Sequence, residues 1–118
     1  MIAGIIPSRY ASSRFPGKPL INLDGKTMIQ RVYEQALASS CLHTVVVATD
    51  DKRIFDHVQS FGGNVVMTSA NHPSGTDRCR EALHHLKVKY RYVINIQGDE
   101  PLISPLQIDE LAVLLNDE

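Results

Sequence analysis

Arg9, Arg14 and Lys18 crowd into one short stretch, Ile5-Ile6-Pro7-Ser8-Arg9-Tyr10-Ala11-Ser12-Ser13-Arg14-Phe15-Pro16-Gly17-Lys18-Pro19-Leu20. Cations at that density suit a polyanion such as a nucleoside triphosphate. Guanidinium groups grip phosphate oxygens in pairs, while serine hydroxyls and backbone N–H groups fill the remaining donor positions. Pro16-Gly17-Lys18-Pro19 sets the lysine between prolines, which lowers the conformational entropy lost when phosphate binds. A solvated basic loop would carry the same charges. What favours a ligand is the loop's place, directly after an apolar run that reads as a first strand.

Two further segments carry candidate chemistry. Gln97-Gly98-Asp99-Glu100-Pro101 follows another apolar run. A carboxylate at the carboxyl end of a strand is well placed for Mg²⁺, which needs only one or two carboxylates when a polyphosphate supplies other oxygens. Asp99 is the metal candidate. Gly98 permits close backbone approach, and Glu100 before Pro101 serves equally well as a loop-stabilising group. An ordinary Gly-Asp turn is the plainer alternative. In His72-Pro73-Ser74-Gly75-Thr76-Asp77-Arg78, Ser74 and Thr76 are both suitable helix N-caps. With Gly75 they are also suited to touch a nucleotide through hydroxyl and backbone N–H groups. Asp77 and Arg78 are expected to pair with neighbouring residues rather than with ligand. The remaining candidates carry less. His84 and His85 are adjacent on a helix and point apart, His43 and His57 read as surface residues, and Cys79 reads as packing against the sheet. No Ser-His-Asp set or paired-cysteine motif is discernible.

The elements that must position these segments alternate along the chain. Residues 2–7 form an apolar strand ending at Pro7. Asp24-Gly25 marks a turn. Met28, Ile29, Val32, Ala36 and Leu37 lie close to helical spacing over 27–39. Thr44–Thr49 is β-branched throughout most of its length and reads as a strand buried on both faces. Asp50 is the expected N-cap of a helix over 51–60, closed by Gly62-Gly63. A third strand over 64–68, a helix over about 76–87 and a fourth strand over 92–96 follow. Ser104-Pro105 opens a last helix, with Ile108, Leu111, Ala112 and Leu115 on one face. Successive βα units imply an α/β fold, a mostly parallel sheet with helices on both faces. Right-handed crossovers then favour strand order 3-2-1-4, in which the loops after strands 1 and 4 flank one crevice at the topological switch point.

Composition bounds the rest. The 118 residues are 43% apolar, enough for one domain with a real core. Twelve basic residues stand against 13 acidic ones, so the chain lacks the electrostatic footprint of a nucleic-acid or anionic-membrane binder. Two cysteines are too few for a disulfide framework, which points to a reducing cytoplasm. No apolar run reaches membrane-spanning length, and Met1 leads straight into a strand rather than a signal peptide. There is no internal repeat, low-complexity tract or linker.

The segments Pro7–Leu20, His72–Arg78 and Gln97–Pro101, with Ala48-Thr49-Asp50-Asp51 at the end of the second strand, resemble the 3-deoxy-manno-octulosonate (Kdo) cytidylyltransferases of bacterial lipopolysaccharide biosynthesis. The similarity runs through the whole chain in order, and the first and third segments together are its specific part. The resemblance implies a Rossmann-like nucleotidyltransferase fold and an Mg²⁺-dependent reaction of CTP with Kdo, giving CMP-Kdo and pyrophosphate. It implies that Arg9 and Lys18 hold the triphosphate, with Arg14 beside them or near the sugar acid. It further implies that Ser74, Gly75, Thr76 and Gln97 contact the cytidine or ribose, and that Asp99 coordinates Mg²⁺. Lys18, Arg9 and Asp99 are then the catalytic set. The family's chains are considerably longer and pair as homodimers. Residues 1–118 are accordingly expected to be the nucleotide-binding half, with a second metal carboxylate and most of the Kdo pocket lying elsewhere. A cytidylyltransferase for another acidic sugar, such as sialic acid, and a non-catalytic nucleotide-binding fragment are the competing readings.

Overall fold

A computed structural model describes residues 2–10, 17–69, 75–85 and 92–96. Its centre is strand β1 (Ile2–Ser8). Alternation along β1 sends Ile2 and Ile6 into one apolar cluster and Ile5 into another. A strand buried on both faces needs parallel neighbours and crossover helices, and β1 has both. Strand β4 (Thr44–Thr49) pairs with it in parallel from Ala3↔Thr44 to Ser8↔Thr49, and β6 (Tyr92–Asn95) pairs in parallel on its other edge from Ile2↔Tyr92 to Ile5↔Asn95. Strand β5 (Val65–Met67) extends the sheet beyond β4, also in parallel. The order β5-β4-β1-β6 is the 3-2-1-4 order expected from the sequence. Pro7 is tolerated in this central strand for a geometric reason. Ile5 presents its carbonyl to the Ile96 N–H on the β6 side, so the nitrogen of Pro7, two residues on, faces the same side. There it lies past the last described β1–β6 pair and forfeits no described ladder bond.

The helices cover both faces. Helix α1 (Met28–Leu37) is capped by Thr27, whose side chain accepts from the Gln30 N–H at 3.3 Å. It buries Met28, Ile29, Val32, Tyr33 and Ala36, against a cluster containing Ile2, Ile6, Val45, Val47, Ile54 and Val58. Each of the larger aliphatic side chains, Met28, Ile29 and Val32, contributes about 1.5–3 kcal/mol on burial. Two details depart from the periodicity. Leu37 is 56% exposed because it ends α1, beyond the turns that face the sheet. Tyr33 is core: its hydroxyl donates to the Val45 carbonyl and accepts from the Asn64 N–H, so its polar end is satisfied inside.

Helix α2 (Lys52–Ser60) is capped by Asp51 rather than Asp50. Strand alternation decides this. Val46 and Ala48 face the cluster that contains Cys79 and Ala82, so Asp50 follows them there, leaving Asp51 to accept from the Arg53 and Ile54 N–H groups. The helix closes as expected, with Gly62 and Gly63 donating to the carbonyls of Gln59 and Val58. Helix α3 (Gly75–His85) covers the other face with Cys79 and Ala82. A small hairpin of β2 (Asn22–Leu23) and β3 (Lys26–Thr27) precedes α1. Asp24 and Gly25 both take positive φ at its turn, a type I′ arrangement, and Arg31 donates to the Leu23 and Asp24 carbonyls to hold it. Residues 104–118, where a last helix is expected, lie outside the described residues.

Candidate functional site

β1, β4, β5 and β6 are parallel, so their carboxyl ends share one edge of the sheet. The β1–β6 boundary is where the chain order reverses, the usual position of a ligand crevice. The basic loop leaves β1 at Ser8, whose hydroxyl is buried without a hydrogen-bond partner among the described residues. Arg9 follows and is exposed. The loop returns at Gly17, whose N–H donates to the Tyr10 carbonyl at 2.7 Å. Gly17 takes φ 78° and ψ 10°, and a Cβ there would sit 3.1–3.3 Å from atoms of the Tyr10 ring. Both facts favour glycine. Lys18 then opens a short 3₁₀ turn (Lys18–Leu20) with Pro19 buried behind it. Leu20 packs on the core, and the Ile21 carbonyl accepts from the Met28 N–H, so the returning strand of the loop is fixed to the start of α1. The loop therefore has a rigid base with Arg9 on one side and Lys18 on the other.

Tyr10 has a second neighbour. The Arg53 guanidinium carbon lies 3.2 Å from the centroid of its ring. Arg53 is itself held by Asp51, through Nη2 to Oδ2 at 2.8 Å and Nε to Oδ1 at 3.2 Å. Those bonds, above all, hold the Asp51 carboxyl below its ordinary value; the α2 N–H groups add to the effect.

At the ends of β4 and β5 the organising residue is Arg78, 1% exposed. Nη1 donates to the Thr68 hydroxyl and to the Ser69 carbonyl, and Nη2 faces Asp50 Oδ2 at 3.5 Å. Nε has no partner among the described residues. Arg78 thus clips the first turns of α3 to the strand ends beside it, as expected of a residue that pairs with its neighbours. Gly75 and Thr76 lie in the first turn of α3, which this clip fixes. Cys79, on the same helix, packs against the sheet, and burial pushes its thiol up to about 11. His43 is exposed and accepts from the Ile2 N–H through Nδ1. His57 is half-buried rather than a plain surface group, because Nε2 meets the Thr27 hydroxyl at 2.7 Å where α2 crosses the start of α1.

Arg14, Ser74, Gln97 and Asp99 lie outside the described residues. The chain leaves β6 at Ile96, whose N–H donates to Ile5, on the same edge as the base of the basic loop. Among the described residues no group of three or more His, Cys, Asp or Glu is placed to hold a metal ion, and no helix is long and apolar enough to cross a membrane. Sequence reasoning gave no role to Tyr10, although it lies within the first segment, and missed Arg53 and Asp50 as the partner of Arg78. The β4 alternation was the available signal for Asp50.

A family model described as Cytidylyltransferase matches residues 3–118. The chain belongs to the cytidylyltransferase family. Among this cytidylyltransferase chain's relatives is a 3-deoxy-manno-octulosonate cytidylyltransferase of Cytophaga hutchinsonii. It is 57% identical over 97% of this chain and 46% of the relative. A 3-deoxy-manno-octulosonate cytidylyltransferase of Arabidopsis thaliana, described as mitochondrial, is 56% identical over 97% of this chain and 39% of its own length. A solved structure of CMP:2-keto-3-deoxy-manno-octonic acid synthetase complexed with CTP superposes with a TM-score of 0.93. It is 47% identical and covers 99% of this chain and 48% of that one. The resemblance read from the loop segments agrees with these matches. The chain spans about half the length of the curated relatives it matches.

Proposed function

We propose that the protein carrying these residues transfers CMP from CTP to Kdo. The observation that carries this reading is the superposition on the CTP-complexed synthetase at 47% identity. The anomeric oxygen of Kdo bonds to the α-phosphorus, the bond from that phosphorus to the bridging oxygen breaks, and pyrophosphate leaves with the electron pair. The hydroxyl proton is released. No protein nucleophile is required, so the residues act by positioning and by neutralising charge. Arg9 and Lys18, at the two sides of the rigid loop base, grip the triphosphate, and Arg14 serves either the triphosphate or the sugar acid. Ser74, Gly75, Thr76 and Gln97 hold the cytidine and ribose.

Asp99 would hold Mg²⁺. Its hard carboxylate oxygen suits that ion, with phosphate oxygens and the second carboxylate that the resemblance implies completing the shell. Held there, the ion would supply neutralisation of the phosphate charge. Kdo selection, homodimer formation and a cytoplasmic location belong to the same reading, with support from the relatives' names, the resemblance and the cysteine usage respectively. Asp99→Asn in the complete protein tests the metal assignment. Turnover is expected to fall at least about tenfold at subsaturating Mg²⁺, because losing a ligand's charge weakens its hold on the ion. Turnover equal to wild type across an Mg²⁺ titration contradicts it.

A further inference from the structure

Arg9 and Lys18 directly flank Tyr10 and Gly17, the two residues that close the base of the basic loop. Whatever fixes Tyr10 and Gly17 therefore fixes the origin of both cationic side chains. One fixing group is local, the 2.7 Å bond from the Gly17 N–H to the Tyr10 carbonyl. The other comes from a separate element. Arg53, in the first turn of α2, lays its guanidinium 3.2 Å from the Tyr10 ring centroid. Its own planar group is oriented by the two-point contact with Asp51. Asp51 is anchored in turn as the N-cap of α2. The chain of contacts runs from the end of β4 through Asp51 and Arg53 to Tyr10, then to Gly17. It joins two loops at the carboxyl edge of the sheet.

Arg53 is 60% exposed along its side chain, so the fold gains little from it. Its charge is already met by Asp51, so the stack adds orientation rather than net positive charge. A planar guanidinium held by a carboxylate and stacked on an aromatic ring is an arrangement lysine cannot reproduce.

We infer that Tyr10 and Arg53 form a clasp that positions Arg9 and Lys18 for the triphosphate, Arg53 being a positioning residue and not a phosphate ligand. The inference rests on the proposed CTP reading and deepens it. Arg53→Met in the complete protein tests it. The KM for CTP is expected to rise about three- to tenfold, the span of an exposed to partly desolvated cation–π contact. The kcat, the KM for the sugar acid and the melting temperature stay near wild type, and Arg53→Lys recovers little of the loss. A Tyr10→Leu, Arg53→Met double variant is expected to be no worse than Tyr10→Leu alone. Additive losses would overturn the clasp, because Arg53 would then act without Tyr10. An unchanged KM for CTP in Arg53→Met overturns it as well.

A second readout needs no activity. Amide hydrogen exchange at Gly17 without nucleotide is expected to quicken in Arg53→Met, and unchanged protection sinks the clasp whatever CTP does. Faster exchange in a protein whose wild type shows no CTP turnover would instead refute the functional reading, and the positioning role with it.

Discussion

Adjacent aspartates at the end of β4 do different work, and replacing each should show it. Asp50 faces Arg78, whose guanidinium is 1% exposed and has one described carboxylate near it, at 3.5 Å. Asp50→Asn keeps the shape and removes the charge, leaving a buried cation whose other described partners, the Thr68 hydroxyl and the Ser69 carbonyl, are neutral. Removing one partner of a fully buried ion pair costs about 3–5 kcal/mol. The Asp50 side chain is 19% exposed, so water already screens part of the attraction, and the expected loss is about 2–3 kcal/mol. Asp51→Ala removes an N-cap, at about 1 kcal/mol, and a surface ion pair worth at most about 1 more. Urea unfolding followed by circular dichroism, with an unchanged dependence on denaturant, measures both. Asp50→Asn should be the more destabilising of the two. An Asp50→Asn loss below about 0.5 kcal/mol, or one smaller than that of Asp51→Ala, would refute the account of Arg78 as a buried cation needing its partner.

Two further outcomes follow from the titrating groups. The Asp51 carboxyl is held below its ordinary value of 3.8, so its contribution to stability is present above that value and is lost as pH falls through the lower folded value. Asp51→Asn, which still caps, should flatten the acid limb of a stability–pH curve measured by thermal melting; an unaltered limb would count against the pairing with Arg53. The Cys79 thiol, buried and pushed up to about 11, should resist alkylation at pH 8 in the native chain, while half-buried Cys41 reacts; titration with a thiol reagent should find the second thiol only after denaturant is added.

The sheet order and the helix faces were legible because periodicity carries them. The β-branched run at Thr44–Thr49 and the spacing of Met28, Ile29, Val32 and Ala36 leave little choice once strands must be buried on both faces. The β2–β3 hairpin was legible only as its Asp24-Gly25 turn, since strands of two residues have no period to read. Asp50 and Asp51 are equal as caps by residue type; which one caps depends on which face of β4 the strand's alternation reaches at its end. Tyr33 was missed because its phenol is core only where Val45 and Asn64 meet its hydroxyl. At the site, charge and loop position were enough to single out Arg9 and Lys18. Arg53 looked like any exposed arginine, because its role comes from a ring 43 residues earlier in the chain that the fold brings beside it. Arg78 lacked such a signal too: a buried arginine is expected only when its partners are known.

Transfer of CMP from CTP to Kdo is read out by a pyrophosphate-release assay. The complete protein should be given CTP, Mg²⁺ and, in turn, Kdo, sialic acid or no sugar. Pyrophosphate and CMP-Kdo are expected with Kdo, and little of either without it. Preference for sialic acid, or the absence of sugar-dependent pyrophosphate release from CTP, would contradict it.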